Sequence, residues 1–201
     1  TMRWLENGDN DDFKIINMLK YQSDKIYWVE ISNMAANYFK FVVVREPIKR
    51  FLSAFSNKIL YSKLSLERTK LTAIQYLSIA QLGVNPEINS MIENLELYSE
   101  MSDDWQLHIK PQHTFMGNQI KGFDRIFQVE HLGELGKKLS EITGFEINLP
   151  RLNTGGRKIS LAELSEKSIK KLIDFYSRDY ELLKDYYSPE KIWDEYQALK
   201  R

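Results

Sequence analysis

Cysteine is missing from all 201 residues, which excludes disulfides, thiolate metal sites and cysteine nucleophiles and fits a reducing compartment. Histidine is scarce: His108, His113 and His131 are the only three, and none stands four residues from another as a helical metal pair would. No metal site is therefore expected. Charge of one sign is not in excess, since 28 basic residues face 28 acidic ones, and this gives no reason to expect a nucleic-acid partner. No apolar run approaches the ~20 residues a membrane-crossing helix needs. The opening "TMRWLENGDNDD" turns acidic at once, unlike a secretory signal. Early glycine is also lacking: before Gly83 only Gly8 occurs, so neither a G-x-G-x-x-G nor a G-x-x-x-x-G-K-[ST] phosphate loop is present there.

What remains is ordinary globular material, 43% hydrophobic and 28% charged, with length for a single domain and a sizeable core. Residues 12–22 have apolar residues at helical spacing, and "KIYWVEI" (25–31) alternates as a short strand. "YFKFVVV" (38–44) reads as a strand covered on both faces. A helix is predicted over 47–60, with Pro47 at its first position and an apolar stripe of residues 48, 51, 52, 55 and 59. Further helices are predicted over 69–83, 86–100 and 160–183, the last with a serine cap. "FDRIFQVEHL" (123–132) reads as a strand running into a helix. Pro150 and the pair Gly155–Gly156 mark a mobile loop. Strands interleaved with helices indicate an α/β fold with a mainly parallel sheet.

The segment "FVVVREPIKRFLSAF" (41–55) carries the most chemistry. In such folds ligands bind beyond the carboxyl ends of strands, and Arg45 stands at such an end. The helix starting at Pro47 directs its free N–H groups and positive dipole end to the same place, which makes an anion site. Arg50, Ser53 and Asn57 form a polar stripe apart from the apolar one, so the Ser53 hydroxyl can reach an anion gripped by Arg45. The plainer alternative is that Arg45 pairs with a carboxylate and Ser53 is merely solvated.

The run R-x-P-x-x-R-x-x-S after an apolar strand, here "REPIKRFLS" (45–53), resembles the 3′-phosphate motif of the sulfotransferases. "AFSNKI" (54–59) is similar to its continuation in the carbohydrate (family 2) branch. Further segments agree in order over residues 38–187: "HIKPQHTF" (108–115), "GFDRIFQVEHLGEL" (122–135), "LPRLNTGGR" (149–157) and "IDFYSRDYELL" (173–183). The resemblance implies a P-loop-NTPase-like three-layer fold and transfer of a sulfuryl group from 3′-phosphoadenosine 5′-phosphosulfate to a hydroxyl of a saccharide or glycoconjugate. It implies 3′-phosphate contacts from Arg45 and Ser53, with Arg157 and Lys158 closing over the nucleotide. The family's P-K-x-G-[ST]-[ST] loop for the 5′-phosphosulfate does not occur in this sequence. The expectation is that the chain is N-terminally truncated just after that loop, its first strand absent and Thr1 the loop's last hydroxyl.

Such a transfer needs a base for the acceptor hydroxyl, and histidine titrates in the right range. His108, in the segment similar to the family's H-x-x-P-Q, is the first choice, followed by His113; Glu30, ending the strand 25–31, is the carboxylate alternative. Two other functions stay open: a non-catalytic nucleotide-binding or scaffold domain of the same fold, and a small P-loop kinase. The lysine-, isoleucine- and asparagine-rich composition points to a bacterial-like cytoplasmic setting, or to the Golgi lumen if the source is eukaryotic.

Overall fold

A strand that runs into Arg45-Glu46-Pro47 has to stop, because Pro47 has no N–H for a ladder and its ring pre-sets a first helical turn. The computed structural model describes residues 39–61, 86–100, 103–149 and 156–201. In it β1 is Phe41–Val44 and α1 is Pro47–Ala54, with Pro47 in the first turn as the sequence predicts. The segments 12–22, 25–31 and 69–83 lie outside the described residues.

β1 pairs in parallel with β2, Arg125–Gln128, from Phe41 opposite Arg125 to Val44 opposite Gln128. Among the described residues these two strands form the sheet, and the rest is mostly helical, an α/β arrangement. β2 leads through a single turn, Val129–His131, into α6, Leu132–Thr143, which ends at Gly144 in the left-handed conformation that glycine adopts without strain. The predicted strand-into-helix junction is thus present.

The predicted apolar stripe is buried throughout: Ile48, Phe51 and Leu52 of α1 and Phe55 and Ile59 beyond its end all face the core. From Phe55 to Tyr61 the winding widens to a π-helix, which the sequence pattern does not signal. Residues 86–100 form two helices rather than one, α2 (Ile88–Glu93) and α3 (Leu95–Glu100). The break is Asn94, whose carboxamide donates to the Ser90 carbonyl at 2.9 Å and leaves the backbone out of helical register. α4 (Asp103–Ile109) and the short α5 (His113–Met116) follow.

The segment 160–183 is likewise divided. Ser160 caps only a short turn, Leu161–Glu163, in a capping box with Glu163. Ser165 caps α7 (Glu166–Phe175), and after a break at Tyr176 comes α8 (Ser177–Leu182). α9, Pro189–Lys200, opens with Ser188 as cap and Pro189 in the first turn. The core gathers Met91, Ile92, Leu95, Trp105 and Ile109 with Phe51 of α1 and Ile169, Leu172 and Tyr176 from the C-terminal helices. Phe51 meets Trp105 edge-on at 6.0 Å. No helix among the described residues is long and apolar enough to cross a membrane.

Candidate functional site

Arg45 follows the last ladder pair of the sheet, and its backbone is held by a side chain instead of a strand. Its N–H donates to Gln112 Oε1 at 3.0 Å, and its carbonyl accepts from Gln112 Nε2 at 2.8 Å. A carboxamide carries donor and acceptor much as a peptide group does, so Gln112 makes the exchange a neighbouring strand would make. The Arg45 Nε is buried and has no hydrogen-bond partner, and among the described residues no carboxylate pairs with its guanidinium. The plainer reading of Arg45 as half of an ion pair is therefore not what the described residues display. An unpaired buried donor costs about 1–3 kcal/mol, a cost that an anion on the guanidinium removes, so the site fits a phosphate.

Gln112 is held in turn by Asp179 of α8, which is fully buried. Asp179 accepts the Gln112 N–H at 2.6 Å, the His113 N–H at 2.8 Å and His113 Nδ1 at 2.9 Å. The carboxylate thus caps α5 from another helix and orients an imidazole whose side chain remains 23% exposed. With a carboxylate opposite, Nδ1 keeps the proton and Nε2 is left as the acceptor.

The start of α1 differs from the sequence expectation. Its first-turn donors are not free: the Glu46 side chain accepts the Lys49 N–H at 2.6 Å and also receives the Tyr180 hydroxyl. Glu46 is almost fully buried, and that burial raises its pKa above the ordinary 4.5 against the opposing hydrogen bonds from Tyr180 and Lys49. The start of α1 is thus already capped by a carboxylate of its own chain. Arg50, the second arginine of the motif, points away from solvent and donates to the carbonyls of Lys110 (2.7 Å) and Leu107 (3.3 Å), closing the end of α4. Burial lowers its pKa, an effect opposed by Tyr176 and Asp179 nearby.

Ser53 lies half-buried in the last turn of α1. The Arg157–Lys158 segment docks on the continuation of that helix, since the Ser56 hydroxyl donates to the Arg157 carbonyl. Gly156 makes this approach possible: its φ is +96°, and a Cβ there would stand 2.8 Å from Ser56 Oγ. The Arg157 side chain pairs with Glu163 at 2.7 Å, and Lys158 is exposed. His108 is half-buried in the last turn of α4. His131 ends the turn before α6, and Glu130 accepts the Tyr187 hydroxyl at 2.8 Å. Thr1 and Glu30 lie outside the described residues.

Sequence reasoning missed Gln112, Asp179 and Tyr180 as parts of this site. Tyr176 packs, and its hydroxyl also donates to the Ile109 carbonyl at 2.8 Å, and the Tyr187 hydroxyl lies 3.3 Å from the Val44 carbonyl at the end of β1. The available signal was polar residues among the apolar ones of "IDFYSRDYELL" and "HIKPQHTF", segments that now prove to meet in space. The model of the Sulfotransferase family matches residues 4–188 of the chain. No curated protein and no solved structure matches it.

Proposed function

The chain belongs to the sulfotransferase family, in its carbohydrate branch, and we propose that it moves a sulfuryl group from 3′-phosphoadenosine 5′-phosphosulfate to a hydroxyl of a saccharide or glycoconjugate. The fold in this reading is the P-loop-NTPase-like three-layer one. The observation that carries it is the buried, unpaired Nε of Arg45 at the carboxyl end of a parallel strand, on a backbone already locked in place. Arg45 holds the 3′-phosphate through its planar fork, with the Ser53 hydroxyl as second contact. Arg157 and Lys158 close over the nucleotide; to do so Arg157 leaves Glu163, a surface pair worth at most about 1 kcal/mol.

When bound, the donor supplies an activated sulfuryl group on a nucleotide phosphate that leaves readily. The chain's own task is positioning, charge stabilisation and removal of the acceptor's proton. His113 is the base favoured by geometry, because the Asp179 carboxylate holds Nδ1 and stabilises the imidazolium once Nε2 has taken the proton. His108 and Glu30 are the alternatives against which it is measured. The test is incubation with donor labelled in its sulfate and a panel of saccharides. Equal amounts of labelled saccharide and adenosine 3′,5′-bisphosphate are expected. Tight nucleotide binding without transfer to any acceptor would overturn the enzymatic reading in favour of a nucleotide-binding domain.

A further inference from the structure

We infer that Gln112 is a positioning residue for donor binding, acting through the Arg45 backbone, and that Asp179 anchors it. This rests on Arg45 being the 3′-phosphate ligand. Arg45 stands one residue beyond Val44–Gln128, the last pair of the sheet, where a chain loses the ladder bonds that define its φ and ψ. The Gln112 carboxamide supplies both missing bonds, at 3.0 and 2.8 Å, and so sets the direction in which the Arg45 side chain leaves the backbone. Gln112 itself has little freedom. It is 7% exposed, and its own N–H is taken by the fully buried Asp179 at 2.6 Å. The relay runs from α8 through the segment before α5 to the end of β1, joining elements 67 residues apart at both steps.

The chemistry of the link is narrow. Asparagine is one methylene short of reaching both backbone groups. Glutamate keeps an acceptor for the Arg45 N–H but sets a carboxylate oxygen against the Arg45 carbonyl. Methionine has the length and neither bond. Without the clamp, each bound phosphate has to order Arg45 anew, and affinity falls by that ordering cost.

The experiment is calorimetric titration of the wild type, Gln112→Met and Gln112→Glu with two ligands: adenosine 3′,5′-bisphosphate and adenosine 5′-phosphate, which lacks the 3′ group. Orienting partners behind a metal ligand are worth about 10–100-fold, and the same scale predicts at least a tenfold loss for the bisphosphate in Gln112→Met. The monophosphate affinity is expected to stay within twofold, and kcat at saturating donor to change little while the donor KM rises. In the double variant Arg45→Ala/Gln112→Met, bisphosphate affinity is expected to match Arg45→Ala alone, because the second change acts only through the first. The ratio of the two affinities is independent of the folded fraction of a sample, so a destabilised variant still reports. An unchanged ratio in both Gln112 variants, or additive losses in the double variant, overturns the inference. Equal affinities for the two nucleotides in the wild type would instead overturn the reading of Arg45 on which it rests.

Discussion

Removing the Asp179 carboxylate is expected to cost more stability than any other single polar change among the described residues. Asp179 is fully enclosed and accepts from three donors: the N–H groups of Gln112 and His113 and Nδ1 of His113. Asp179→Ala leaves all three facing a cavity. Each unsatisfied donor costs about 1–3 kcal/mol. Water entering the space recovers part of that sum, which leaves a net loss of about 3–5 kcal/mol. At roughly 2–4 °C per kcal/mol for a chain of this size, the melting temperature falls by about 6–20 °C. Asp179→Asn retains one acceptor but turns an amide nitrogen toward a donor, so a smaller loss of about 1–3 kcal/mol follows. Differential scanning calorimetry, with urea unfolding as a second probe, gives the order wild type, Asn, Ala. An Asp179→Ala protein melting within about 2 °C of wild type would show that these donors are satisfied otherwise and refute the reasoning.

Three further outcomes are expected. His113→Ala lowers kcat by about 10²–10⁴ with nucleotide affinity nearly kept, as loss of a positioned base does, while His108→Ala does neither; steady-state kinetics on folded variants decides, and a larger kcat loss in His108→Ala moves the base there. Burial raises the Glu46 pKa, so the folded state holds this proton more tightly than the unfolded chain, and the stability it lends below the ordinary 4.5 is lost as pH rises through the raised value. Glu46→Gln is therefore expected to gain on wild type as pH increases from acid to neutral in urea melts; a constant difference would contradict the shift. Gly156→Ala combines a φ of +96° with a contact at 2.8 Å to Ser56 Oγ and is expected to cost about 1–3 kcal/mol in the same melts, against no change if the loop were free of the helix.

How much of this was legible in the sequence depends on whether the signal is local. The five-residue stripe over 48–59 and the Pro47 start of α1 follow from spacing and chain geometry, and all five residues are buried. The run from β2 into α6 was legible for the same reason, and so was the place of Arg45 between a strand end and a helix start. The break at Asn94 was not, because it depends on a side chain choosing the Ser90 carbonyl, and the break at Tyr176 carries no helix-stop residue in the sequence. The free helix N-terminus was a wrong expectation for a similar reason: Glu46 stood in plain view, yet its use as a buried cap depends on Tyr180, 134 residues away. Gln112 and Asp179 look like ordinary polar residues until the fold brings their segments together. α9, in contrast, carried its start signal in Ser188-Pro189-Glu190 and was overlooked.

The central claim is that Arg45 is the ligand of a nucleotide 3′-phosphate, and one titration tests it most directly. Adenosine 3′,5′-bisphosphate is titrated calorimetrically into wild type, Arg45→Lys and Arg45→Ala, each shown to be folded by circular dichroism. Truncating one partner of a buried charged pair costs about 2–5 kcal/mol, so Arg45→Ala is predicted to lose about 30-fold or more in affinity. Arg45→Lys, which keeps the charge but not the planar fork, is predicted to fall between the two. Wild-type affinity in a folded Arg45→Ala protein would contradict the account.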